Sequence, residues 1–236
     1  MAEWAAKRFW KSTTVVEVEG GFSVLLDDRN VRTPAKAQLI VPSQAMAHSI
    51  AAEWDAQEDK IDPMTMPYTR GANAAIDKVA VQHAEVADMI AAYGESDLLC
   101  YRAEGPQELI ARQAAIWDPV LEWAAREFDA KLTITSGIMP TTQPANSIAN
   151  LQAQVTHQTP FELTALHDLV SISGSLVLGL AAQQKAWPIA QLWDMSRLDE
   201  EWQIEQWGRD EAADAEAEIK KAAFFHALDF YNSLTK

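Results

Sequence analysis

A chain of 236 residues is long enough for one large or two small domains, with roughly 70% of the unfolded surface removed from water on folding. Hydrophobic residues make up 48% and charged ones 22%, and no apolar run reaches the ~20 residues of a membrane span, so disorder and membrane insertion are disfavoured. Nineteen basic against 34 acidic residues give a formal charge of -15, which opposes nucleic acid and anionic lipid and steers the chain toward basic surfaces.

Residues 1–10 lack the charged-then-apolar layout of a signal peptide and are too short and acidic for a transit peptide, so a cytoplasmic or already processed protein is expected. Two strands over 15–19 and 22–27 flank Gly20-Gly21 as a tight hairpin. The Asp27-Asp28-Arg29-Asn30 cluster turns the chain into further strands at 31–33 and 39–41. So small a sheet needs a covering helix, and Ser43 is a good N-cap for one with Ala47, Ile50, Ala51 and Trp54 on one face. Trp54 reads as a plug between sheet and helix.

After Ile61 the composition changes. Two prolines, Pro63 and Pro67, predict an extended hinge over 62–70, and helices dominate from there. One is expected over 72–93, stopped by Gly94. Another begins at Pro106 and kinks or breaks at Pro119. Residues 131–135 are an isolated strand signal that either returns to the N-terminal sheet or serves as an extended link. A helix follows near 147–157. Thr159-Pro160-Phe161-Glu162 is the clearest helix start in the chain, an N-cap threonine with glutamate at N3. Its helix is expected to run through Gln184 and, being rich in small residues, to sit at the centre of a bundle. The fold class is therefore α+β: an N-terminal antiparallel sheet with a covering helix over 1–62, then a mainly α-helical, orthogonal bundle-like domain over 63–236.

Residues 193–211 hold three tryptophans and seven carboxylates, with Gly208 the only strong helix breaker. On one continuous helix Trp193, Glu200, Ile204, Trp207 and Glu211 fall within roughly 60° of each other. Two readings follow. In one the indoles are core and Glu200 pairs with Arg197 or Arg209; in the other Glu211 stays exposed to meet a partner.

Signs of catalysis are few. Gly174 and Gly179 have the spacing of a phosphate loop, but Leu180-Ala181 stands where Lys and Ser or Thr are required. His48, His83, His157, His167 and His226 are scattered, and Cys100 is the single cysteine, so no metal, cofactor or disulfide is expected. Glu200 and Glu211 would lie about 16 Å apart along a continuous helix, too far to share a reacting atom. Ser96-Asp97 reads as a cap or turn that Arg102 anchors.

Specific words then outweigh periodicity. Arg8-Phe9-Trp10-Lys11, Leu26-Asp27-Asp28-Arg29, Thr33-Pro34-Ala35-Lys36, Glu53-Trp54-Asp55-Ala56-Gln57, Met66-Pro67-Tyr68-Thr69-Arg70, Ala75-Ile76-Asp77, the stretch from Tyr93-Gly94-Glu95 to Tyr101-Arg102, and Ser196-Arg197-Leu198-Asp199 with Trp207-Gly208 occur in one order. Together they resemble the assembly chaperones of F-type ATP synthase that bind the free alpha subunit of the catalytic sector. The resemblance implies a non-enzymatic binding protein that holds the unassembled alpha subunit until the beta subunit replaces it; no cofactor is expected, and the lone cysteine and high negative charge give no reason for an oligomer, so a monomer is expected. By position it places Glu211 on the acidic residue after Trp-Gly that the family needs, while a further acidic position is not cleanly matched, with Asp214 or Glu216 as its candidates; Glu200, Trp207 and Arg197, from the same stretch, complete the expected partner contacts. By the same match Trp54 is the family's structurally sensitive tryptophan, and Arg70 and Asp97 are further residues expected to be structurally sensitive. The family's matrix location would apply only to a processed form. The alternatives are a small helical enzyme using Arg70, Asp97 and Glu200 or Glu211 in a cleft, and an interaction module with another client.

Overall fold

The computed structural model describes residues 7–235, so the reading of residues 1–6 as free of a targeting segment lies outside the described residues. The chain divides into two compact units, Met1–His83 with Thr159–Ala165 and Asp229–Lys236, and Ala84–Gln158 with Leu166–Leu228. The architecture is α+β, a small antiparallel N-terminal sheet followed by a mostly helical remainder.

In the first unit β1 (Thr13–Val18) and β2 (Gly21–Leu26) pair with Val18 opposite Gly21. The turn is therefore Glu19-Gly20, one residue earlier than the sequence suggests. Gly21 is held inside the strand by close approach: a Cβ there would lie 2.3 Å from the Val41 carbonyl oxygen. On the other side of β2, β3 (Arg29–Asn30) pairs with one end and β4 (Ile40–Val41) with the other. The strand expected at 31–33 is reduced to a single bridge between Arg32 and Gln38.

Helix α1 (Gln44–Asp55) covers the sheet. Ser43 caps it, Oγ accepting from the Met46 N–H at 3.1 Å, and Met46, Ala47, Ile50 and Ala51 join Val24, Leu26, Leu39 and Val41 in one core. Trp54 is half-buried against that core, edge-on to Trp10 with ring centroids 5.2 Å apart. The segment expected to be extended instead makes a 3-10 turn over Pro63–Thr65, capped by Asp62, and Pro67 opens α2 (Pro67–Ala74). The fixed φ of proline suits the first turn of a helix as well as an extended chain. Ala72, Tyr68 and Ile76 belong to the same core, and Phe230 packs against both Tyr68 and Phe161. Those contacts explain why the first unit runs past residue 62 and gathers two later segments. The expected capping box is present: the Thr159 N–H donates to Glu162 Oε2 at 2.8 Å and the Glu162 N–H to Thr159 Oγ1 at 3.3 Å.

The helix expected over 72–93 is interrupted by a π turn at Ala75–Val79 and resumes as α3 (His83–Ala91), followed by 3-10 turns at Ala92–Ser96 and Leu98–Cys100. In the second unit β5 (Tyr101–Arg102) leads to α4 (Gln107–Phe128), which runs unbroken through Pro119 where a kink or break was expected. The 131–135 signal does not return to the N-terminal sheet: β6 (Thr135–Ser136) pairs in parallel with β5. Next come α5 (Ala145–Thr156) and α6 (Pro160–Ser173). The helix expected to continue through Gln184 ends at Gly174, whose φ of 71° is left-handed, and restarts as α7 (Leu176–Gln183) with Ser175 as N-cap. Every residue of α7 is buried. The chain closes with α8 (Ile189–Ser196), α9 (Leu198–Trp207) and α10 (Glu211–Asn232).

Candidate partner-binding surface

The stretch read as one helix is three. Arg197 adopts φ -108° and ψ 10° between α8 and α9, and Gly208 adopts φ 92° and ψ 173° between α9 and α10. The wheel alignment of Trp193, Glu200, Ile204, Trp207 and Glu211, and the spacing built on it, therefore do not hold. The two indoles at its ends have opposite environments. Trp193 is 6% exposed and packs on Phe224 with centroids 5.9 Å apart, whereas Trp207 is 80% exposed. Arg197 lies over the Trp193 ring at 5.8 Å and pairs with Glu200 at 3.0 Å, so these two candidates are brought together and tied to the buried indole.

One face of α4 holds this stretch. Arg112 makes a two-point bond to Glu205 at 2.7 and 2.9 Å and lies 5.9 Å from the Trp202 ring. The pairing holds the Glu205 carboxyl below its usual range. Gln113 donates to Asp199 Oδ1 at 2.7 Å, and the Trp117 indole N–H donates to the Met195 carbonyl at 2.9 Å. None of these anchors was foreseen, because Arg112 and Glu205 lie 93 positions apart and no local spacing links them.

Past Gly208 the carboxylates sort differently. Asp210 caps α10 through the Ala213 N–H at 2.9 Å, Asp214 pairs with Arg209 at 3.0 Å, and Glu216 pairs with Lys220 at 2.7 Å. Glu211 is exposed in the first turn of α10, with no hydrogen bond or ion pair from its side chain among the described residues. The positive end of the helix dipole favours a carboxylate there without using up its acceptors. Trp207 and Glu211 thus present an uncovered indole and an unpaired charge across one glycine-made corner.

The other candidates lie elsewhere. Asp97 is fully buried, accepting from the Leu99 N–H at 3.1 Å and, at the N-terminus of α7, from the Val177 N–H at 3.0 Å; burial pushes its carboxyl up to about 6. The expected Arg102–Asp97 anchor does not form, since backbone N–H groups already take both carboxylate oxygens. Arg102 instead donates to the Leu99 carbonyl, lies over the Trp117 ring at 5.3 Å and pairs with Asp118 at 2.8 Å. A carboxyl so enclosed has no face for a substrate, which removes Asp97 from an enzymatic cleft. In the first unit Arg70 is exposed, 3.7 Å from Met64 Sδ. Beside it Glu53, to which no role was assigned from the sequence, caps α2 by accepting from the Tyr68 and Thr69 N–H groups and the Thr69 hydroxyl. Burial raises the Glu53 carboxyl, and those bonds and the Arg70 charge work against the rise.

An open groove of about 540 Å³ lies in the first unit, lined by Arg8, Trp10 and residues 55–59, and includes none of the candidates. Arg8 fills a structural role there, bonded to the Trp10, Asp55 and Gln57 carbonyls. Among the described residues no group of three or more His, Cys, Asp or Glu could hold a metal ion, and no helix is long and apolar enough to cross a membrane.

Comparison with known proteins converges on one family. The model of the ATP12 chaperone protein family matches residues 7–125. The crystal structure of Atp12 from Paracoccus denitrificans is 47% identical, with a TM-score of 0.94 over 97% of this chain and 98% of that one. A crystal structure from Agrobacterium tumefaciens is 41% identical, with a TM-score of 0.93 over 97% of this chain and 86% of that one. Mitochondrial protein atp12 of Schizosaccharomyces pombe is 25% identical over 220 residues, 86% of this chain and 74% of that protein.

Proposed function

Because the chain belongs to the ATP12 family of ATP synthase assembly chaperones, we propose that it binds the unassembled alpha subunit of the catalytic sector and releases it when the beta subunit takes its place. The observation that carries the reading is that Trp207 is 80% exposed and that Glu211, four residues on, is exposed with an unpaired carboxylate. An indole left in water is an apolar anchor, and a free carboxylate across the turn at Gly208 would select a basic group on the partner and fix its orientation. Arg197 and Glu200, paired with each other at the start of α9, are further candidate contacts, and Asp214 and Glu216 are already committed to ion pairs with Arg209 and Lys220. Release by displacement needs no nucleotide, and Leu180-Ala181 removes the phosphate loop that a nucleotide-driven release would use. The proposed setting is a bacterial cytoplasm, supported by the two bacterial relatives, while the fission yeast relative is mitochondrial.

The test uses isolated alpha subunit. Wild-type chaperone is expected to be retained with it and to keep it soluble, whereas Glu211→Lys replaces attraction by repulsion and is expected to weaken retention by about tenfold or more. Equal retention and equal protection by the variant would show that Glu211 has no part in binding.

A further inference from the structure

The first half of α10 turns its apolar residues away from the core. At about 100° per residue, Ala212, Ala215, Ile219, Ala222 and Ala223 fall within an arc of about 100°. All five are exposed, Ile219 at 71%. The half-buried residues of the same stretch, Asp214, Ala217 and Lys221, lie on the opposite side and lead to the fully buried Phe224. A surface helix ordinarily does the reverse. Helix propensity alone explains the alanines in a stretch with so little packing, but it does not explain a β-branched Ile219 held in water or the exposed Trp207 that precedes the helix.

Carboxylates border this face. Glu211 and Glu218 lie on one flank, seven residues and so about 10 Å apart, and neither side chain has an ion-pair partner among the described residues. Glu216 borders the other flank and is taken by Lys220.

We propose that this outward face of α10 seats a helical segment of the client, apolar along one side and carrying two basic residues about two turns apart that meet Glu211 and Glu218. The proposal rests on the chaperone reading above and names the chemistry of the segment bound. The alanines let a second helix axis approach to about 8 Å, Ile219 supplies the ridge that interlocks with it, and the two free carboxylates set its register. A second copy of this chain fits poorly: its formal charge is -15, and the same face would bring glutamates against glutamates.

The experiment is a titration of full-length protein with isolated alpha subunit, using wild type, the double variant Ala215→Gln with Ala222→Gln, and Glu218→Gln. Glutamine keeps helix propensity and charge while adding bulk to the face. The double variant is expected to bind about tenfold or more weakly with an unchanged melting temperature. Glu218→Gln is expected to lose severalfold in affinity and to show a weaker salt dependence, a readout that a purely structural role would not move. If wild type binds and both variants match it in affinity and salt dependence, the α10 face is overturned while the chaperone reading stands. If wild type neither binds nor protects the alpha subunit, both fall. Sedimentation of wild type as a dimer that the double variant dissociates would assign the face to a second copy and overturn the client segment.

Discussion

Helix α7 and the first half of α10 both carry small residues, one glycine and two alanines among leucines and a valine in the first and alanines among charged residues in the second, and they end in opposite places. Every residue of α7 is buried, while between Glu211 and Ala223 no residue is. Small side chains make a helix approachable without saying what approaches. In α7 it is the chain itself: a Cβ on Gly179 would lie 2.6 Å from Val170 Cγ2 and 3.2 Å from Leu166 Cδ1. Charge separates the two cases. Helix α7 has no ionisable residue and takes its one carboxylate contact from Asp97 at its N-terminus, whereas α10 interleaves its alanines with Glu211, Asp214, Glu216 and Glu218. Hydrating those carboxylates keeps that helix in water.

The sharpest way to break this contrast is to enlarge the buried helix. Gly179→Leu forces a side chain into space already filled, and overpacking of this kind costs about 3 kcal/mol, offset only in part by about 1 kcal/mol of helix propensity. Urea unfolding should show a clear loss of stability or no folded protein. A stability equal to wild type would mean that α7 is not close-packed at Gly179.

Asp97→Asn comes next. The variant loses one acceptor and turns an amide N–H toward a backbone N–H, with an expected cost of about 2 kcal/mol. The pH dependence carries a sign. Burial raises the folded Asp97 carboxyl from 3.8 to about 6, so the unfolded chain releases that proton first. Its contribution is fully present below about 3.8 and declines as pH rises through about 6. The gap between wild type and variant should therefore be wider near pH 4 than at pH 7. A gap that widens with pH would show that the bonds from Leu99 and Val177 outweigh desolvation.

The same residues show what a sequence can and cannot announce. Ser43 and the Thr159/Glu162 box were legible because a cap and its partner lie within three positions, as were the α+β order and the covering helix, which follow from local periodicity. Asp97 was legible as a cap, but its second partner is the backbone of Val177, 80 positions on, and the nearby Arg102 went to Asp118 instead. Gly174 looked like a packing residue and ends a helix. Arg197 breaks one with neither glycine nor proline to signal it, and so the indole stripe dissolved into a buried Trp193 and an exposed Trp207. On the candidate surface, residue types were readable and their grouping was not. Grouping depends on Arg112, Gln113 and Trp117, which hold the segment from another helix.

The smallest expected change in stability belongs to Trp207→Ala. An 80% exposed indole has little apolar area left to lose, and the preceding helix end is fixed by Gly208 and by the Arg112–Glu205 pair, neither of which touches that side chain's role. Surface substitutions of this kind stay within about 0.5 kcal/mol. In client binding the order should invert, because burying an indole at an interface is among the larger single contributions a side chain makes, typically about 2 kcal/mol or more. Measured together, an unchanged unfolding midpoint and a more than tenfold weaker complex with alpha subunit would place Trp207 on the α10 side of the contrast, a residue kept apolar for another molecule. A lowered midpoint with unchanged binding would place it with α7, as packing for the chain's own fold.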